Sequence, residues 1–397
     1  MIVLSKKIQQ LEESATLAMA RKSRELQENG KKIINLSLGE PDFNTPNFIK
    51  HAAKKAIDQN FSKYTPVPGY KELLEVISMK FKRDNKLNYA ANQIVCSTGA
   101  KQSIAQVLMV LLNKGDEVIL PAPYWVSYSQ MIQLAGGHAK IINTGIKNNF
   151  KISPKDLQKS ITKKTKVFLF SSPCNPTGSV YTKKELIALS KIFKTHKNLI
   201  IISDEIYEHI NFTKKHFSIG RIPDINNQVV TINGLSKGYA MTGWRFGYLG
   251  APKEISDACI KMQGQITSAT CSITQRAAIT ALSKDPICTQ KMCQSFQNRR
   301  DLVIQLLSEI KDLEINKPEG AFYIFPNISK YIGKSYKKFE ITSTNDLSMF
   351  LLEHGGVSTV SGTAFGADNY IRISYAASEK ELIKACKLIK DCLDKLS

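Results

Sequence analysis

The middle of the chain alternates short apolar runs with longer helical patterns, and this alternation narrows the fold more than any other feature. Glu117–Leu120, Val167–Phe170, Leu199–Ile202 and Val229–Ile232 are rich in β-branched or large apolar residues, and each is cut off by turn-forming or polar residues. Lys101–Leu112, Lys183–Thr195 and Ile255–Gln263 carry helical spacing. Runs this short suit strands better than helices, and their continuous apolarity suits strands buried on both faces. Helices covering both sides of a mostly parallel sheet give that burial, so the sequence predicts an α/β fold.

The residues just past each run matter as much. Trp125 comes after Pro-Ala-Pro at 121–123, Asn175 lies within SSPCNPTG, Asp204 follows Ser203, and Lys237 follows Ser236. Open parallel sheets bind ligands beyond the carboxyl ends of their strands. Separate segments would thus bring a ring, an amide, a carboxylate and an amine to one crevice. Taken singly, each residue has an ordinary role as a solvated lysine, loop carboxylate, turn asparagine or packed tryptophan. Their joint placement is what points to a site.

The chain ends read as a second unit. Its pieces are a helix over Ala15–Asn29, a helical region over Gln290–Ile310, strand-like Gly320–Phe325 and Tyr370–Tyr375, and a closing helix over Glu379–Leu396. At 397 residues, with 43% hydrophobic and 22% charged, the chain suits one large core or two domains. The formal charge of +21 invites a nucleic-acid reading. Its lysines are scattered, however, without a basic tail or a reader motif, which fits a solvated surface that steers anionic small molecules. The eight cysteines include no CxxC pair, the histidines no metal-cage spacing, and MIVLSKKIQQ too short an apolar stretch for export. A cytoplasmic protein with reduced thiols is expected, with no metal, membrane or nucleic-acid partner.

The chemistry follows from Lys237. A lysine amine forms a Schiff base with an aldehyde when desolvation or nearby positive charge frees it of its proton. Arg245, eight residues on, could supply that charge or hold a phosphate, and Asp204 could sit at the base of a pocket. An aldehyde with a phosphate and a basic ring nitrogen would use all three groups, and pyridoxal 5′-phosphate has those features.

The motifs sharpen this. SLGEPDF at 37–43, KYTPVPG at 63–69, STGAKQ at 97–102, PAPYWVSY at 121–128 and SSPCNPTG at 171–178 run in order with SDEIYEH at 203–209, NGLSKGYAMTGWRFG at 233–247, PEGAFYIFP at 318–326 and RISYA at 372–376. Together they resemble the class I pyridoxal-phosphate-dependent aminotransferases, specifically the bacterial aspartate aminotransferases with aspartate/prephenate relatives. The resemblance covers essentially the whole chain. It implies the pyridoxal-phosphate aminotransferase fold, with a large domain holding a mostly parallel central sheet and a smaller α/β domain. The implied divisions are an N-terminal arm over 1–14, small-domain parts over 15–47 and 291–397, and a cofactor-binding domain over 48–290.

The resemblance also implies roles. Lys237 matches the lysine that joins the cofactor aldehyde and then moves a proton, and Asp204 the carboxylate that keeps the ring nitrogen protonated. Asn175 and Tyr207 match groups bonded to the phenolic oxygen, and Trp125 the stacked ring. Gly99, Ala100 and Lys101 precede a predicted helix suited to the phosphate, with Ser236 and Arg245 as side-chain partners. Tyr64 matches a tyrosine reaching the neighbouring subunit's cofactor, implying a homodimer with shared sites that the N-terminal segment helps tie together.

For amino-acid and 2-oxo-acid substrates, Arg372 matches the fork that grips the α-carboxylate beside the Gly39 backbone. Lys101, with Ser14 and Thr16, matches the grip on a side-chain carboxylate. The implied reaction moves the amino group of L-aspartate to 2-oxoglutarate, with prephenate amination as the alternative. One departure stands out: prephenate-linked relatives carry a basic residue and proline where this chain has Glu12-Glu13. An acidic side chain facing the pocket would repel an anionic substrate, prephenate more than aspartate. His209 reads as a polar neighbour, not a base, and Cys174 as a thiol near the pocket.

Overall fold

The computed structural model describes residues 2–213 and 216–397, so Met1 of the N-terminal arm and Lys214-Lys215 lie outside the described residues. A seven-stranded sheet forms the centre of the large domain. In chain order its strands are β1 (Ile94–Ser97), β2 (Glu117–Ala122), β3 (His138–Asn143), β4 (Thr165–Ser171), β5 (Ile200–Asp204), β6 (Val229–Gly234) and β7 (Gly247–Gly250). The spatial order is β1-β7-β6-β5-β4-β2-β3. Neighbours from β6 to β3 pair in parallel, and β7 runs antiparallel to both β6 and β1.

The four runs singled out in the sequence are β2, β4, β5 and β6, four of the five inner strands, and their side chains are buried almost throughout. The sequence did not single out β1, β3 or β7. At the sheet edge, β3 exposes His138, Ile141 and Asn143 and half-buries the rest, while β7 reads Gly-Tyr-Leu-Gly and carries little strand signal of its own. Helices cover both faces. Lys183–Phe193 starts on a capping box, in which the Thr182 hydroxyl accepts from the Glu185 amide while Glu185 bonds back to the Thr182 amide.

The smaller domain packs helices Ile287–Ser308, Thr344–Gly355 and Glu379–Leu393 around a three-stranded antiparallel sheet, with Ile371–Ser374 between Tyr323–Ile324 and Val360–Ser361. Ile34–Asn35 pairs in parallel with Val357–Ser358, which brings the SLGEPDF loop to the domain junction. One apolar cluster, with Phe296, Phe322, Leu351, Ile373 and Ile389 at its centre, holds this domain together. Three others flank the large sheet. The expected strand at 320–325 shortens to Tyr323–Ile324. Its neighbours Phe322 and Phe325 are fully buried without extending the ladder. No helix among the described residues is long and apolar enough to cross a membrane.

Candidate active site

Because β6, β5, β4 and β2 are consecutive neighbours, the segments after them arrive in the order Lys237, Asp204, Asn175, Trp125 along one sheet edge. They line a cavity of about 360 Å³ together with Ser14, Thr16, Gly39, Ala100, Lys101, Tyr207, Ser236, Arg245 and Arg372. Gly99 adjoins it by capping the helix Ala100–Leu111, with φ at +88°. A β-carbon on Gly99 would strike the guanidinium of Arg245.

Asp204 ends β5 with its carboxylate buried. Its Oδ2 accepts from the Tyr128 hydroxyl at 2.6 Å and its Oδ1 from the Ile206 amide at 3.2 Å. Burial pushes the carboxyl up to about 6, against the Tyr128 and Ile206 hydrogen bonds and the charge of Lys237. Lys237 is half-buried, with Nζ donating to the Gly39 carbonyl at 2.5 Å and lying 5.9 Å from the Tyr207 ring centroid. Desolvation pushes its amine down to about 8. Glu40 opposes that shift, and Arg372 and Arg245 reinforce it. At pH 8 about half of Lys237 is then free amine, roughly 150-fold more than for an ordinary lysine.

Arg372 is fully buried in a polar and aromatic setting. Nη1 donates to Asn175 Oδ1 at 2.9 Å, Nη2 to the Ser37 carbonyl, and the guanidinium lies 4.5 Å from the Tyr323 ring centroid and 5.1 Å from that of Phe365. Nε has no partner among the described residues. Tyr207 shares a 2.8 Å hydrogen bond with the Tyr323 hydroxyl. At the other end, Arg245 donates from Nη1 to the Thr242 carbonyl at 2.9 Å. Ser236 and the first amides of Ala100–Leu111, which have no acceptor inside their helix, complete an anion-friendly corner. Lys101 Nζ stands 5.0 Å above the Trp125 ring.

This donor set fits pyridoxal phosphate. A helix start with a hydroxyl and a guanidinium suits a phosphate, a buried carboxylate with no ion-pair partner among the described residues suits a basic ring nitrogen, and an amine of depressed pKa suits an aldehyde.

Tyr64 stands apart from this cavity. It is 98% exposed and lines a separate open hollow with Thr270 and Ser272. Glu13 turns to Arg21 in a paired contact of 2.7 and 3.0 Å, the Glu12 amide donates to Gln130 Oε1 at 3.1 Å, and neither residue lines the cavity. His209 lies outside the lining, against Glu208 and Tyr239. Burial pushes the Cys174 thiol up, favouring its protonated form.

The sequence reading missed Tyr128, Tyr323, the Ser37 carbonyl, and Glu40, which bonds Thr242 at the cavity wall. Tyr128 does carry a signal, since it falls three residues after Trp125 where the helix Ser127–Leu134 begins.

The family model "Aminotransferase class I and II" matches residues 31–389. A protein of Rickettsia conorii named as a probable aspartate/prephenate aminotransferase is 44% identical over 397 residues, covering 99% of both chains. The aspartate/prephenate aminotransferase of Cereibacter sphaeroides is 44% identical over 393 residues, covering 98% of both. The crystal structure of the aspartate aminotransferase from Rhizobium meliloti superposes with a TM-score of 0.96 at 37% identity, covering 100% of both chains. Sheet, cavity and relatives agree: the chain belongs to the class I and II aminotransferases, in the branch of the aspartate/prephenate enzymes, and is a pyridoxal-phosphate-dependent aminotransferase.

Proposed function

We propose that this enzyme transfers the amino group of L-aspartate to 2-oxoglutarate, giving oxaloacetate and L-glutamate in two half-reactions at one site. The observation that carries this reading is a cavity with cationic groups at separate positions. Arg372 lies buried between Tyr323 and Phe365, and Lys101 stands over Trp125, with Ser14 and Thr16 also in the wall. A dicarboxylic substrate offers one anion to each. Pyridoxal phosphate, when bound, supplies the aldehyde that accepts the amino group and a ring that draws electrons from the substrate Cα.

The protein's own groups do the rest. Asp204, buried and held by Tyr128, would keep a proton on the cofactor's ring nitrogen. Lys237, with its amine pushed down to about 8, would be the base that removes the proton from the substrate Cα and holds it for return. Asn175 and Tyr207 would hold the phenolic oxygen, Trp125 would pack on the ring, and the corner of Gly99, Ala100, Ser236 and Arg245 would hold the phosphate. The Arg372 fork orients the α-carboxylate beside Gly39. Closure of the smaller domain (15–47 and 291–397) and the arm (1–14) over the 48–290 domain would exclude water.

Prephenate amination is the second reading. The relatives' names support it, as do the apolar side chains of Leu17, Leu38 and Val126 in the cavity wall and the turning of Glu13 to Arg21. We also propose a cytoplasmic homodimer. Tyr64 is 98% exposed, and Ile2, Val3 and Leu4 of the arm are 91%, 87% and 57% exposed, so all of them are free to meet a second copy, Tyr64 at its phosphate corner. The eight free cysteines suit a reducing compartment.

The test is a screen of half-reactions, following the cofactor's absorbance on adding each amino donor. Rapid conversion with aspartate and glutamate and slow conversion with alanine supports the reading, and prephenate as acceptor tests the second. Faster conversion with alanine than with aspartate would refute the dicarboxylate assignment.

A further inference from the structure

Behind the catalytic edge lies a buried charge cluster that the mechanism above does not use. Lys80 ends the helix Lys71–Lys80, and a single π-helical turn follows over Phe81–Asn85. Lys80 Nζ donates to Glu208 Oε1 and Asn85 Nδ2 to Glu208 Oε2, and all three residues are buried. The π turn explains the convergence. In an α-helix, residues five apart point roughly 140° away from each other. The i→i+5 pairing of a π turn brings them towards one face, so Lys80 and Asn85 grip both carboxylate oxygens at once.

Glu208 sits between two parts of the site. It follows Tyr207 directly in a tight turn, where its amide donates to the Glu205 carbonyl at 2.9 Å and the Ile210 amide donates to Tyr207 at 2.8 Å. Its Oε1 lies 3.2 Å from His209 Nε2. The His209 ring packs edge-on against Tyr239 and closes on Gly238, where an added β-carbon would lie 2.8 Å from that of His209. Gly238 is the residue after Lys237. A buried ion pair adds little net stability over an apolar replacement, so its presence here fits a role in placing groups.

Resting on the cofactor reading above, we propose that the Lys80–Asn85–Glu208 clamp is a positioning device that sets the Tyr207 hydroxyl and the Lys237 backbone against the cofactor. Glu208 is a positioning residue and touches no reacting atom. The titratable groups facing it are Lys80 and Asp84 from the helix and π turn, His209 from its own turn, Glu205 and His216 alongside, and the hydroxyls of Tyr239 and Tyr248.

The experiment loads purified wild-type protein, the Asn85→Ala variant and the Lys80→Met/Glu208→Gln double variant with pyridoxal phosphate. It then titrates the visible absorbance with pH. Asn85→Ala keeps the ion pair, and the double variant removes both charges together, so neither strands a buried charge. A displaced Tyr207 donor should raise the titration midpoint by about half a pH unit or more in each variant. It should also lower kcat about fivefold or more while KM moves less than about twofold. Wild-type midpoint and kcat in folded, loaded variants would overturn the clamp and leave the cofactor reading standing. Wild-type protein that takes up no pyridoxal phosphate would overturn both. A double variant that fails to fold leaves Asn85→Ala to decide.

Discussion

Replacing Lys237 with methionine, a side chain of similar length without the amine, should stabilise the protein stripped of pyridoxal phosphate. The reasoning starts from the pKa of Lys237, pushed down from 10.5 to about 8 by desolvation, Arg372 and Arg245. That depression of about 2.5 units is worth about 3.4 kcal/mol against the charged form. The folded state binds this proton less tightly than the unfolded chain. The group's contribution to stability is therefore intact above about 10.5 and is lost as pH falls through about 8. At pH 7 the full penalty applies, and Lys237→Met removes it. The variant also gives up the bond from Nζ to the Gly39 carbonyl, which takes about 1 kcal/mol off the expected gain. Urea midpoints of both stripped proteins between pH 6 and 10 measure the difference. A gain of about 2–3 kcal/mol at neutral pH, shrinking steadily above pH 8, is the expected result. A variant that is less stable than wild type at pH 7, or a gain that does not shrink with pH, would refute the claim that burial activates this amine.

Lys101→Ala should keep pyridoxal phosphate bound but cut the preference for aspartate over alanine by about 10- to 100-fold, read as the ratio of kcat/KM values. Loss of cofactor with preference unchanged would move Lys101 out of the substrate grip. Arg372→Lys should raise KM for amino and oxo acids about 10- to 100-fold, since an ammonium cannot reproduce the fork held by Asn175 and Ser37. Steady-state kinetics with both substrates checks this. Tyr128→Phe removes the 2.6 Å donor to Asp204, which should cost about 1.5–3 kcal/mol of stability in the stripped protein at pH 8. Asp204 is raised to about 6. The loss should therefore be largest where its carboxyl is ionised and smaller at pH 5, which urea midpoints at the two pH values would show.

The sequence made the sheet centre and the strand-end residues legible for the same physical reason. A strand buried on both faces must be apolar along its length, so β2, β4, β5 and β6 announce themselves, and the residue that breaks each run falls at the edge where ligands bind. Lys237, Asp204, Asn175 and Trp125 needed no tertiary knowledge beyond strand adjacency. Tyr128 and Tyr323 were hidden because their roles depend on contacts across long chain separations. Tyr128 meets Asp204 only once the helix Ser127–Leu134 packs against the strand ends, and Tyr323 meets Tyr207 from 116 positions further along the chain. The π turn was hidden more deeply. Nothing in Phe81-Lys-Arg-Asp-Asn85 marks a π turn, and its extra residue gains meaning only from Glu208, more than a hundred positions away.

Glu12-Glu13 shows where sequence reasoning reaches a condition it cannot evaluate. Charge repulsion from an anionic substrate was a sound inference only if a carboxylate faced the pocket. Side-chain direction in a short N-terminal segment depends on what else lies within reach. The helix beginning at Ala15 puts Arg21 within reach of Glu13, and the two form a paired contact with both side chains more than half exposed. An exposed pair of this kind holds by only about 0–1 kcal/mol, so Arg21 biases the direction of Glu13 without locking it. What the pair does is neutralise the carboxylate locally while leaving Ser14 and Thr16, the next residues along, lining the cavity. The departure from the relatives' basic residue therefore weighs on substrate range through the missing positive charge more than through the added negative one. On the reading proposed above, in which Lys101 meets the second carboxylate of aspartate, that effect falls on the bulkier, doubly anionic acceptor.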